Sequence, residues 1–116
     1  MPIFVIIHSL LIASIIAFAA WCFYLSIQLD GWGALTHSIL MGIALCISGV
    51  QVLIWWLKHK GFKVAKPLML GELLIIGVFL TYLGIDAAEL DQYAWLFLLT
   101  GVMSLLSALG VWRGQL

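Results

Sequence analysis

The sequence predicts an all-α integral membrane protein: a four-helix bundle with both termini on the cytoplasmic side. Three observations lead there. Hydrophobic residues fill 66% of the 116 positions and charged residues only 9%, where a water-soluble domain has roughly half and a quarter. Four apolar runs, each close to or longer than the roughly 20 residues that cross a bilayer, are separated by short polar breaks. All five Lys and Arg side chains fall on one side of those runs.

The first run covers 3–29 and stops at Asp30-Gly31-Trp32-Gly33. Ala17-Phe18-Ala19 has the look of a signal cleavage site. However, no Lys or Arg precedes the apolar stretch, which is longer than a signal core, so the segment is expected to be a retained helix. The second run covers 34–57 and stops at Lys58-His59-Lys60-Gly61. The third, 67–86, opens on Pro67, whose missing N–H costs nothing in a first turn. The fourth covers 92–112. Helices satisfy their own backbone groups, as lipid requires, and the alternating pattern of a membrane barrel is absent. At this length, with a mean hydropathy of +1.23, the chain is expected to form one transmembrane domain over 1–116.

Orientation follows from charge. Lys58, Lys60, Lys63 and Lys66 lie between the second and third runs, and Arg113 follows the fourth. Asp30, Asp86, Glu89 and Asp91 fall on the opposite side. By the positive-inside rule the 58–66 loop is cytoplasmic, which predicts a multi-pass protein of a bacterial-type inner (plasma) membrane. Trp55, Trp56, Phe62 and Trp112 mark the inner boundary, and Tyr24, Trp32, Tyr93 and Trp95 the outer one. The basic loop is also placed to attract anionic lipid headgroups.

Small residues recur at packing intervals: Ser9, Ala13 and Ala17; Ser38, Gly42, Cys46 and Gly49; Gly101, Ser104 and Ala108. Such stripes let helix backbones approach closely in lipid, inside the bundle or against another subunit. Cys22 and Cys46 sit in apolar stretches and read as small packing residues.

One constellation could carry chemistry. Glu72 is the only charged side chain well inside a run, and an ionisable residue there is a functional candidate by default. Counted from Pro67, it lies about 7–8 Å into its helix, in the cytoplasmic leaflet. The same count puts His8, Gln51 and Ser107 at similar depth, so each helix contributes one polar side chain to a common layer. If they converge, Glu72 and His8 could exchange a proton, as a transporter or proton relay would need. A purely structural role competes with this. Glu72 lies in the early turns of its helix, where the dipole favours negative charge, and could reach Lys63, Lys66 or Gln51.

Other chemistries find no support. His37, near Thr36, Asp30 and Asp86, lacks the ligand number of a metal site. His8 and His37 lie at opposite membrane faces and cannot share a haem. No nucleotide loop, nucleophile set or paired carboxylate is visible. The expectation is therefore a non-enzyme without cofactor, metal or nucleic-acid partner.

Gly71-Glu72 at the start of the third run resembles the Gly-Glu pair of the small four-helix accessory protein of ATP synthases called subunit I. That family carries a Lys about one turn on, where this chain continues Leu73-Leu74-Ile75-Ile76. The resemblance covers two residues and a topology, and implies an accessory protein of a membrane complex. The small multidrug exporters share four short-looped helices but carry their membrane Glu in the first span. Two functions are thus expected in competition. One is a non-catalytic accessory or assembly subunit of a larger complex. The other is a small homo-oligomeric transporter or channel using Glu72 as its embedded proton or substrate site.

Overall fold

A computed structural model describes residues 3–87 and 94–116. Glu89, Asp91, Gln92 and Tyr93 lie outside the described residues. The described chain is helical, with no strand: α1 (Ile3–Gln28), α2 (Trp32–His59), α3 (Ala65–Asp86) and α4 (Ala94–Trp112). All four are long and apolar enough to cross a membrane. Large apolar side chains such as Trp21, Ile39, Phe79 and Leu99 stand exposed on them. In water so much exposed apolar surface would drive aggregation; in lipid it is the solvated surface.

Several helix ends depart from the sequence reading: α1 stops at Gln28 rather than 29, and α2 opens at Trp32 rather than 34. α2 continues to His59, and α3 starts at Ala65. Lys58 and Lys66 therefore sit on helices, and the basic loop shrinks to a short turn. Pro67 becomes the third residue of α3, still within the first turn, whose N–H groups lack helical acceptors. The cause at α2 is a local stop signal. Gly61 has φ +92°, its N–H donates to Lys58 O at 3.1 Å, and Phe62 N–H donates to Leu57 O at 3.2 Å. This is the paired closure of a Schellman end, which needs a left-handed residue just past the helix. α4 ends in the same way, with Gly114 at φ +72° and Gln115 N–H donating to Gly110 O at 2.9 Å.

The helices pack in two compact units. Unit 1 joins Met1–Leu11 to Ile54–Leu116, and unit 2 is Ile12–Leu53. In unit 2 the buried positions of α1 are Ile12, Ile15, Ala19 and Cys22, and those of α2 are Ala44, Ser48 and Gln51. Each set repeats at three- and four-residue intervals, which is one stripe of a helix.

Unit 1 is built on the antiparallel contact of α3 with α4. A Cβ added at Gly84 would lie 2.6 Å from Leu98 N, and one added at Gly101 would lie 2.6 Å from Thr81 N. At Gly77 it would lie 2.7 Å from the Leu105 side chain. Backbones this close gain dispersion contact that lipid cannot supply, the main source of helix association in a bilayer. Met69, Leu73, Ala108 and Val111 complete the buried seam. The start of α1 joins it at the other end: the Phe4 ring occupies the space a Cβ on Gly110 would need, at 2.7 Å.

Candidate functional site

Two contacts set the register of the polar side chains in unit 1. The Ser104 hydroxyl on α4 donates to Leu73 O on α3 at 2.7 Å. Phe4 of α1 lies on Gly110 of α4, while Ile3 and Phe4 share a groove with Gly114 and Gln115. Within unit 1, α1 therefore starts beside the end of α4, and its first residues, up to Leu11, run antiparallel to α4, as α3 does. Counting from these contacts at 1.5 Å per residue, His8, Glu72 and Ser107 fall within roughly one helical turn of one another along the axes.

All three are turned inward. His8 and Ser107 have no accessible surface, and the two carboxylate oxygens of Glu72 are buried although its stem is partly exposed. None has a hydrogen-bond partner: both His8 nitrogens, both Glu72 oxygens and Ser107 Oγ are unsatisfied. His8 is held by Trp55 of α2, ring centroids 4.5 Å apart and planes at 89°. Trp55 thus packs on His8, unlike exposed Trp56 and Trp112, with which the sequence groups it at the inner boundary.

The structure therefore brings three of the four layer residues to one depth in unit 1. The fourth, Gln51, lies one turn before Trp55 on α2 and belongs to unit 2. It is 2% exposed, and its amide also lacks any partner. Because α3 starts at Ala65, Glu72 lies seven residues in, about 10 Å rather than 7–8 Å. The ion pairs with Lys63 or Lys66 do not form, since the carboxylate turns inward and both lysines stay exposed.

The four lysines divide. Lys58 Nζ donates to the main-chain oxygen of Leu116, and Lys60 Nζ stands 5.6 Å above the Trp56 ring. Lys63 and Lys66 are exposed and make no ion pair with a described residue. At the far ends of the helices His37 Nδ1–H donates to Gly33 O at 2.7 Å. No group of three metal-ligating side chains occurs among the described residues.

Two members of the site escape sequence reasoning. Ser104 stands out only as a small residue, yet it supplies an interhelical hydrogen bond. Trp55 reads as an interface aromatic, yet it packs on His8. Chemically, the layer offers a carboxyl, an imidazole and a hydroxyl in a low-dielectric interior without mutual hydrogen bonds. Such groups are costly unless a partner reaches them. No family model, no curated protein and no solved structure matches this chain.

Proposed function

We propose that the chain is a four-span protein of a bacterial-type inner membrane, with both termini cytoplasmic, and a non-catalytic accessory or assembly subunit of a larger membrane complex. The observation that carries the reading is the direction of its small-residue stripes. On α4, Gly101, Ser104 and Ala108 are buried against neighbours within the chain. On α1, Ser9, Ala13 and Ala17 are exposed, and on α2 so are Ser38, Cys46 and Gly49. A Cβ at Gly42 or Gly49 would meet nothing within 4 Å. Two seams of the kind that lets helices approach in lipid are thus left open on the outside. All five bases lie at the helix ends of unit 1, which supports the proposed orientation.

Native mass spectrometry after mild extraction tests this. The expected result is a mass containing other polypeptides, lost in Gly42→Leu/Gly49→Leu while the melting temperature of the chain is unchanged. A chain isolated alone under the same conditions overturns it.

A homo-oligomeric transporter or channel is the second reading, favoured by the inward, unpartnered Glu72 carboxyl at the depth of His8 and Ser107. It expects Glu72→Gln to abolish proton flux in liposomes with expression intact. Full flux in that variant overturns it.

A further inference from the structure

We propose that a groove between the start of α3 and the end of α4 binds an anionic phospholipid, its phosphate beside Lys66 and its upper acyl chain along Leu70. The groove is lined by Lys66, Pro67, Leu70 and Trp112. Its composition is that of a lipid rather than of a soluble anion. One cation stands among three apolar or amphipathic side chains, and Leu70 carries the apolar wall on toward the middle of α3. Trp112 is 69% exposed, and an indole with one apolar face and one N–H suits the boundary between headgroup and chain.

Charge selects the headgroup. Residues 54–71 and 92–116 hold all five bases of the chain and no acid. Lys58 and Lys60 are engaged within the chain, by Leu116 O and the Trp56 ring. Lys66 and Arg113, the residue after Trp112, are exposed and without an ion pair to any described residue. The start of α3 adds to the attraction: no side chain caps it and its first turn has no acidic residue. A zwitterionic headgroup would bring its own cation against these bases. A second copy docked by this face would set bases against bases. A lipid with net negative charge meets neither objection.

The test uses the full chain in neutral detergent, with phosphatidylglycerol or phosphatidylcholine added and retained lipid counted by native mass spectrometry. Phosphatidylglycerol is expected to be retained in preference. Each of Lys66→Gln and Arg113→Gln should weaken it by about fivefold, and the pair by about 25-fold. Lys60→Gln removes a charge from the same end outside the groove and should keep the parental affinity. Leu70→Trp fills the groove with its charge intact and should also lose the lipid. Equal retention of the two lipids, an equal loss in Lys60→Gln, or full binding by Leu70→Trp each overturns the proposal. Melting curves identify any variant that fails to fold. If the double glutamine variant fails, the single variants and Leu70→Trp carry the test.

Discussion

The Ser104 hydroxyl crosses from α4 to the Leu73 carbonyl oxygen of α3 at 2.7 Å, with both residues free of accessible surface. In a bilayer no water competes for either group, yet measured side-chain hydrogen bonds between membrane helices average only about 0.6 kcal/mol, with a maximum near 1.7. Leu73 O keeps its place in the helical ladder of α3, so losing the hydroxyl leaves no orphaned acceptor. Ser104→Ala should therefore cost about 0.5–1 kcal/mol in reversible unfolding from mixed micelles. A loss above about 2 kcal/mol would mean that this bond organises the whole α3–α4 seam.

Backbone approach should matter more than that bond. At Gly84 an added methyl would meet the backbone of Leu98, the N at 2.6 Å and the Cα at 2.8 Å, so no side-chain rotation relieves the clash. Gly84→Ala is expected to destabilise by about 1–3 kcal/mol, the usual range for overpacking a close contact. Gly42→Ala, with nothing within 4 Å, should be neutral or slightly stabilising, because alanine is the better helix former. The two variants differ by the same single methyl, and unfolding both in one detergent separates seam from surface. Equal effects would place both glycines in one environment.

That contrast also shows what could be read in advance. The four helices, their apolar character and the short breaks follow from composition and run length alone, because lipid leaves the backbone few alternatives. The last turn of α2 runs two residues past the hydropathy boundary because capping by Gly61 acts through φ, which hydropathy does not register. Axial rise converts residue number into approximate depth, but the count for Glu72 moves from 7–8 Å to about 10 Å once α3 starts at Ala65. Direction is not legible at all. The stripes Ser38, Gly42, Cys46, Gly49 and Gly101, Ser104, Ala108 have the same spacing and chemistry, yet one faces out and the other in. Only packing distinguishes them, and in lipid both sides of a helix can be apolar.

His8 tests how much of the layer is held by shape. Its ring meets Trp55 edge to face at 4.5 Å while both nitrogens lack partners. His8→Phe keeps a ring in that position and removes two unsatisfied polar atoms, so stability should hold or rise. His8→Ala leaves a cavity beside Trp55 and should cost about 2–4 kcal/mol, in the range of large-to-small core changes. Tryptophan fluorescence should shift in the alanine variant, because Trp55 loses its neighbour. If His8→Phe is as damaging as His8→Ala, the imidazole nitrogens have partners that hold the fold.

Glu72 separates cost from purpose. Both carboxylate oxygens are buried and unpaired, and neither Lys63 nor Lys66 turns toward them. A group of that kind opposes folding by about 1–3 kcal/mol, so replacing it with an unbranched apolar side chain of similar length should relieve the penalty. Glu72→Met is expected to be more stable than the parent, and Glu72→Gln, which keeps an unpartnered amide, close to it. Thermal unfolding of the three proteins in one detergent gives the order. If Met is instead the least stable, the carboxyl is structural glue between helices, and its presence needs no further function. If Met is the most stable, the chain carries Glu72 against its own stability. A loss of proton flux or of complex assembly in the well-folded Met and Gln variants would then identify what that cost supports.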